Sequence, residues 1–280
     1  MSNDITIAFM TNYTLDIPNI DKQLNTIKSF YDVFQIHTTI KTYIFCDEKP
    51  LSKIEGTIEL YNKNKYNDYK IPGSEYETNL KNINLLKHAT FIKTNSLCEG
   101  YKKAIELCDT KYLLFLEHDW VFLNNINHTL EDLIELMNSN NEINCILFNK
   151  KNNNESKTQK FYNSKSYEIP LCLTNRQSNN PNILRTSHAK EIRYPLINNE
   201  GCSIHPGIEF YYCINDMKIP NYCGGIECEL CNYCNDNEDI VNILGTYIYG
   251  PKNYNNTITH SDICDRNLLN TKSTNIIKFK

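Results

Sequence analysis

The sequence predicts an α/β fold: a mostly parallel central sheet with helices on both faces. Short apolar strands alternate with amphipathic helices between residues 5 and 148. That alternation is typical of strand–helix–strand units, whose strands pair in parallel. The run from Tyr112 to Leu116 is apolar without interruption, as expected of a central strand buried on both faces. At 280 residues, the chain is long enough to bury such a core.

The first two strands and the helix between them follow from local pattern. Ile5 to Met10 is an apolar strand, and Thr38 to Phe45 is rich in the β-branched and aromatic residues that favour a second strand. Pro18 and Asp21 open a helix. Its apolar residues recur every three or four positions, and they are Ile20, Leu24, Ile27, Tyr31 and Phe34.

The next elements are less regular. Thr57 to Tyr61 is a candidate third strand, and the polar run from Asn62 to Tyr76 predicts a loop. Ser96 to Cys108 predicts a helix that leads into the strand at Tyr112. Thr129 can cap the following helix, with Asp132 as its capping-box partner. The apolar face of that helix consists of Leu130, Leu133, Ile134 and Met137.

The character of the chain changes after residue 149. Ile143 to Phe148 predicts another strand, Lys150 to Lys160 predicts a polar loop, and later elements are short and irregular. No internal repeat and no clear Pro/Gly linker marks a second domain. A single domain over residues 1–280 is therefore predicted.

Composition excludes several classes of protein. The formal net charge is −4 and charges of both signs are mixed along the chain, so no basic patch for nucleic acid is expected. No apolar segment approaches the about 20 residues that span a bilayer. Met1 to Asp4 lacks a basic or apolar signal region, which indicates a cytoplasmic protein.

Acidic residues follow the buried strand directly. Glu117, His118 and Asp119 come after Leu116, and a second apolar run begins at Trp120. Ligands of open α/β sheets bind beyond the carboxyl ends of the strands. A Glu-x-Asp pair placed there can hold a divalent cation and, through it, phosphate oxygens. The alternative is a solvated acidic turn, but a surface turn is not normally enclosed by two apolar runs.

The order of these features resembles the GT-A glycosyltransferases, especially the inverting family 2 group. Their pattern is an N-x-G-x-x-x-A helix followed by an apolar strand that ends in a DXD-like motif. Here the segment from Asn95 to Ala104 precedes the strand from Tyr112 to Leu116, which leads into Glu117 and Asp119. Glu117 replaces the family's usual first Asp. The resemblance covers residues 5 to about 148 well and the rest loosely.

The resemblance implies a nucleotide-sugar site in residues 1–124 and an acceptor half in residues 125–280. Thr11 and Asn12 would line the nucleotide site, and Asp47 would contact the base or ribose. Asp119 would bind Mn²⁺ or Mg²⁺ directly, with Glu117 acting on the ribose or through water. Thr11, Asn12 and Asp47 can equally be ordinary turn residues.

Candidates for two further site residues lie late in the chain. The resemblance implies a late metal-binding His, for which His260 is the candidate. It also implies an acidic general base at the start of a helix, which deprotonates the acceptor hydroxyl. Glu209 fits that position better than Glu200, although the acid at 209 can also be explained as a helix amino-terminal residue. The Asn-rich segment from Ser178 to Arg185 is a weaker candidate for binding an acceptor sugar or a phosphate.

A cysteine cluster follows, with the spacing C-x4-C-x2-C-x2-C. Four thiols this close can surround one tetrahedral Zn²⁺ ion, although the usual long gap between ligand pairs is missing. Disulfides and unpaired thiols are the alternatives, and an iron–sulfur cluster fits the spacing less well. The cluster consists of Cys223, Cys228, Cys231 and Cys234.

The resemblance thus implies a metal-dependent glycosyltransferase that moves a sugar, hexosyl or related, with inversion from a UDP- or GDP-type donor to a glycan or other hydroxyl acceptor. Two alternatives remain. A sugar-nucleotide nucleotidyltransferase uses a related sheet, but usually carries a Gly-rich basic loop after the first strand. A degenerate GT-A binding or scaffold module, with a zinc-held cysteine loop, would bind nucleotide without turnover.

Overall fold

The structure is a computed structural model, and it describes residues 4–12, 20–47, 73–94, 97–153, 158–163, 168–197, 210–214, 217–221 and 238–261. Within these ranges the helices are α1 (Asp21–Val33), α2 (Gly73–Asn82), α3 (Leu97–Leu107), α4 (Leu130–Ser139) and α5 (Glu238–Leu244). A short 3₁₀ turn spans Asn84–Leu86. A mixed helical segment runs through Thr186–His188, Ala189–Arg193 and Tyr194–Leu196.

The strands, in chain order, belong to one large sheet and two small ones. They are β1 (Ile5–Asn12), β2 (Lys41–Asp47), β3 (Thr90–Thr94), β4 (Tyr112–Glu117), β5 (Trp120–Phe122), β6 (Cys145–Leu147), β7 (Thr158–Asn163), β8 (Glu168–Leu173), β9 (Asn182–Arg185), β10 (Phe210–Ile214), β11 (Met217–Asn221), β12 (Thr246–Tyr249) and β13 (Ile258–His260).

The large sheet has nine strands in the order β3-β2-β1-β4-β9-β6-β12-β8-β7. Strands β3, β2, β1 and β4 pair in parallel, and β12 pairs in parallel with β6. Strand β9 is inserted antiparallel between β4 and β6. The β7–β8 hairpin adds antiparallel pairs beyond β12. The predicted α/β class is therefore confirmed, in a mixed sheet in which β3, β2, β1 and β4 pair in parallel.

Helices cover both faces of this sheet, as predicted. Ile5, Ile7 and Phe9 of β1 belong to one buried apolar cluster, together with residues of α1 and α4. Ala8 and Met10, which alternate with them, belong to a second cluster with residues of α3. Since successive residues of a strand point to opposite faces, the two clusters are the two sides of the sheet.

Several local predictions hold. Helices α1 and α3 and strand β4 lie close to their predicted bounds. Thr129 caps α4 in a complete capping box with Asp132. Strand β2 is shifted towards the carboxyl end of its predicted range, and β6 is shorter than the predicted range at both ends.

Other local predictions are wrong. Residues 73–76, predicted as loop, begin α2, and β3 was not predicted at all. The polar loop predicted up to Lys160 gives way to β7 at residue 158. The strand predicted at residues 57–61 lies outside the described residues. Propensity failed at β7 because its polar residues take strand geometry from β8, with which they pair. The β-branched and aromatic residues of β3 favour a strand, and that signal was overlooked.

Two small antiparallel pairs lie apart from the large sheet. One joins β10 to β11. The other joins β5 to β13. This pairing brings β13, which ends at His260, next to the segment that follows β4. Among the described helices, none is long and apolar enough to cross a bilayer.

Candidate functional site

The carboxyl ends of β1, β2 and β4 converge on one edge of the sheet. In the parallel ladders Met10 aligns with Glu117, and Asn12 aligns with Asp47. The chain leaves β1 towards β2 and β3 on one side, while β4 lies on the other side. The edge beyond β1 and β4 is therefore the point where strand order reverses, which is where open α/β sheets bind ligands.

A cavity of about 170 Å³ opens at this point. It is lined by the ends of the first strands, the start of α3 and the acidic segment after β4. Its lining residues are Met10, Thr11, Phe45, Thr94, Leu97, Gly100, Glu117, His118 and Asp119. The amino-terminal turn of α3 faces this cavity, and backbone N–H groups at a helix start favour anions.

Gly100 sets how closely α3 approaches the sheet. A Cβ atom at this position would lie 3.2 Å from Met10 Sδ and 3.5 Å from Phe45 Cβ. The first distance is tight and the second is ordinary van der Waals contact, so a larger residue would require Met10 or α3 to shift by a few tenths of an ångström. The glycine in the helix before β4 thus has a packing role beside the cavity.

Asp119 and His260 meet at the same edge. The antiparallel pairing of β5 with β13 places His260 opposite Trp120. His260 Nε2 lies 2.8 Å from Asp119 Oδ2, and the backbone N–H of Ser261 donates to the Asp119 carbonyl at 2.8 Å. The structure therefore brings together the two residues that the sequence proposed as metal ligands.

The environment of Asp119 favours its ionised form. Burial works against ionisation, but the hydrogen bond from His260 and the charges of His118 and His260 outweigh it, so the pKa of the Asp119 carboxyl lies below its usual value. The second carboxylate oxygen, Oδ1, is buried and accepts no hydrogen bond from the described residues. A buried carboxylate oxygen without a donor is suited to a cation or to water.

The side chain of Glu117 contacts Trp120. The indole N–H of Trp120 lies 3.4 Å from Glu117 Oε2. The Trp120 ring also meets the His260 ring edge-on at 4.9 Å, and Lys150 Nζ lies 5.5 Å above the Trp120 ring. Trp120 thus contacts Glu117, the His260 ring and the ammonium group of Lys150, and the sequence suggested none of these contacts.

His118 also lines the cavity, a role that the sequence did not assign. Burial lowers the pKa of its imidazole, and the charges of Lys22 and His260 act in the same direction, against that of Asp119. The neutral ring is therefore favoured near pH 7. Its backbone N–H donates to the Met10 carbonyl at 3.0 Å, which extends the β1–β4 ladder by one residue.

The other predicted site residues are only partly placed. Thr11 lines the cavity and accepts a hydrogen bond from Gln23 at 3.4 Å. For Asn12 and Asp47 the structure describes the paired backbone positions alone. Glu209, Glu200 and the four cysteines at 223, 228, 231 and 234 lie outside the described residues, so their roles stay predictions. The residues directly after Glu209 form strand β10 and not a helix, so the expectation that this acid begins a helix is wrong.

The segment from Ser178 to Arg185 has a structural role at its end. Arg185 Nη2 donates to the carbonyls of Met137, Asn140 and Ile143, at 2.5, 3.2 and 3.1 Å. Arg185 pairs with Tyr112 at the start of β4, the end opposite to the cavity. The suggestion that Arg185 binds an acceptor or a phosphate at this site is therefore wrong, because this guanidinium caps α4 instead.

Within the described ranges, no group of three or more His, Cys, Asp or Glu side chains is arranged to hold a metal ion. Asp119 and His260 form a pair, and Glu117 is oriented towards Trp120. The donors still fit a hard divalent cation that keeps several waters or phosphate oxygens, since such a cation needs only one or two protein carboxylates.

No protein-family profile matches the chain, and no curated protein matches it by sequence. Among solved structures it is similar to TarS of S. aureus, at 12% identity and a TM-score of 0.38, over 70% of this chain and 52% of that one. The structure of TarS with UDP-GlcNAc matches at the same identity and TM-score, over 67% of this chain and 47% of that one. A mannosyltransferase from Pyrobaculum calidifontis, in complex with GDP-Man and Mn²⁺, matches at 8% identity and a TM-score of 0.40, over 68% of this chain and 46% of that one.

The bifunctional IspDF of Campylobacter jejuni also matches, at 13% identity and a TM-score of 0.31, over 66% of this chain and 42% of that one. The chain therefore spans about half the length of the solved proteins that it resembles. At such low identities and TM-scores, the likeness establishes no shared activity.

Proposed function

We propose that the chain is a metal-dependent glycosyltransferase that moves a sugar from a nucleoside diphosphate sugar to a hydroxyl acceptor, with inversion. The observation that carries the proposal is the Asp119–His260 pair at 2.8 Å beside a cavity at the strand-order reversal. The second carboxylate oxygen of Asp119 is buried and has no donor among the residues that the structure describes. The donor is a UDP- or GDP-type sugar, and the cation is Mn²⁺ or Mg²⁺.

The site residues whose side chains the structure describes each have a task in that reaction. Asp119 offers Oδ1 to the cation. His260, predicted as a second metal ligand, is proposed here to orient the carboxylate instead, because its Nε2 bonds Asp119 Oδ2. A bound divalent cation would neutralise the negative charge that develops on a departing diphosphate. Thr11 and the first turn of α3 line the cavity that would take the nucleotide.

The remaining roles belong to residues whose side chains are not described. Asp47 would contact the base or ribose of the donor. Glu209 would remove the proton of the acceptor hydroxyl as it attacks the anomeric carbon, since an inverting transfer needs such a base. Both assignments rest on the resemblance to GT-A enzymes and remain parts of the proposal.

A transfer assay tests the proposal. The wild-type chain is incubated with UDP- and GDP-sugars and Mn²⁺, and nucleoside diphosphate release is measured with and without a chelator. Asp119→Ala should lower the rate at least about 100-fold, the usual cost of removing a group that stabilises developing charge. Asp109→Ala is the matched control, because Asp109 is an exposed acid paired with Lys41 at the other end of β4.

Three results would contradict the proposal. An Asp119→Ala variant with unchanged, chelator-sensitive turnover would remove Asp119 from the site. Release of pyrophosphate from a nucleoside triphosphate and a sugar phosphate would instead indicate a nucleotidyltransferase. Binding of UDP or GDP with Mn²⁺, seen as a thermal shift without turnover of any donor, would indicate a binding module.

A further inference from the structure

Two hydroxyl groups on α1 hold the acidic segment after β4. Thr26 Oγ1 donates to the His118 carbonyl at 2.8 Å. Ser29 Oγ accepts from the Phe122 N–H at 3.0 Å and donates to the Thr26 carbonyl at 2.9 Å. Thr26 and Ser29 are three residues apart, so they lie on the same side of the helix. One helix thus holds both ends of the segment from residue 118 to residue 122.

Thr26 is unusual for a threonine inside a helix. It is fully buried on the apolar side of α1, among residues such as Ile27 and Phe30. A helical threonine usually donates to the carbonyl three or four residues before it. Here the hydroxyl donates to a carbonyl far along the chain instead. A buried hydroxyl is costly unless it is paired, so this contact constrains how α1 and the segment can sit together.

The contact acts directly on the peptide group that precedes Asp119. The His118 carbonyl and the Asp119 N–H belong to one planar unit, and Thr26 holds that plane. The next plane, which carries the Asp119 carbonyl, is held by the N–H of Ser261 at 2.8 Å. Fixing both planes fixes the direction in which the Asp119 side chain leaves the backbone.

We infer that Thr26 is a positioning residue for Asp119: its hydroxyl sets the orientation of the carboxylate towards His260 and the cation. This inference rests on the proposed function as far as the cation is concerned. Removing an orienting partner of a metal ligand typically lowers metal affinity about 10- to 100-fold. Thr26→Val is nearly isosteric and removes only the donor. Thr26→Ser keeps the donor and should restore the wild-type value.

The chain offers a matched control and an internal probe. Thr42 is also buried and also donates to a backbone carbonyl, that of Ile40, at 2.9 Å. It lies on β2, so Thr42→Val loses the same kind of bond away from the acidic segment. Trp120 is the single tryptophan of the chain and touches His260. Its fluorescence therefore reports Mn²⁺ at the site.

The experiment titrates wild type, Thr26→Val, Thr26→Ser and Thr42→Val with Mn²⁺ alone and follows Trp120 fluorescence. Hydrogen–deuterium exchange of the amides from Asp119 to Phe122 is measured in parallel without metal. We expect Thr26→Val to need at least about tenfold more Mn²⁺ and to exchange faster in this segment than Thr42→Val. Thr26→Ser should follow the wild type in both measurements.

The outcomes separate this inference from the proposed function. If the wild type binds Mn²⁺ and Thr26→Val binds within twofold of it, the positioning role is wrong while the proposed function stands. If the wild type gives no saturable Mn²⁺ response, the proposed metal site fails. The exchange measurement then decides alone: equal exchange in Thr26→Val and Thr42→Val overturns the role of Thr26, and faster exchange in Thr26→Val supports it.

Discussion

The two ends of β4 carry charged and polar groups in contrasting arrangements. At the amino end, Lys41 pairs with Asp109 at 2.8 Å, and Tyr112 donates to Asn138 Oδ1 at 2.9 Å. Arg185 reaches three carbonyls at the end of α4. At the carboxyl end, Asp119 has one oxygen bonded to His260 and another that is buried and accepts no hydrogen bond within the described part of the chain.

We call the amino end of β4 the closed end and its carboxyl end the open end. The polar groups named at the amino end satisfy one another, which is what stability requires of a sheet edge packed against helix ends. The carboxyl end keeps an acceptor beside a cavity, and burying such a group without a partner costs free energy. A ligand that supplies the missing partner would recover that cost. The comparison thus predicts that the two ends respond differently to substitution.

The largest effect is expected at the closed end. Arg185→Met removes the cation that serves three backbone carbonyls, so the free energy of unfolding should fall by about 3 kcal/mol. Urea denaturation measures this change. The Mn²⁺ affinity of the folded protein should stay within twofold of the wild type. A loss of Mn²⁺ binding without a loss of stability would show that Arg185 serves the cavity after all.

An intermediate effect is expected at the open end. His260→Ala removes the group that bonds Asp119 Oδ2. The Mn²⁺ dissociation constant, measured by Trp120 fluorescence, should rise about tenfold, equivalent to about 1.4 kcal/mol. His37, which is exposed, provides the control variant His37→Ala. Equal affinities in the two variants would exclude His260 from the cation site.

A third effect concerns the pH dependence of stability near the closed end. His188 donates to the Ile243 carbonyl at 2.9 Å. Burial, with the charges of Arg193 and Arg185, lowers the pKa of His188 from 6.5 to about 4. The folded state therefore binds fewer protons than the unfolded state between these values. This contribution to stability is complete above pH 6.5 and is lost as the pH falls towards about 4.

The variant His188→Gln tests the predicted direction of this pH dependence of stability. The variant should lose less stability than the wild type when the urea midpoint is compared at pH 7 and pH 4.5. His37→Gln, an exposed control, should lose as much as the wild type. A wild type whose midpoint is the same at both pH values would contradict the lowered pKa of His188 in the folded state.

Local sequence signals sufficed wherever a few neighbouring residues determine the outcome. The capping box of Thr129 and Asp132 and the apolar run of β4 were predicted and are present. Thr26 could also have been noticed, because it is a polar residue on the apolar side of α1. Its partner could not, since the bond to His118 depends on how α1 packs on the sheet.

Contacts between distant segments could not be predicted from the sequence. Strand β9 lies within an Asn/Pro-rich stretch that favours turns, yet it fills the gap between β4 and β6 and pairs with both. The β5–β13 pair has three residues on each side, too few for a period to be recognised. Register and partner of such strands are set by tertiary packing rather than by propensity.

The sequence by itself determined the fold class and the position of Glu117 and Asp119 at the end of a buried strand, because burial on both faces leaves a readable apolar run. Only the tertiary structure decided which groups meet there. It brought His260 into contact with Asp119 and Trp120 into contact with Glu117. It also brought the Thr26 hydroxyl to the peptide group before Asp119. These contacts follow from strand pairing and helix packing across the chain, where distance along the sequence carries no information about distance in space.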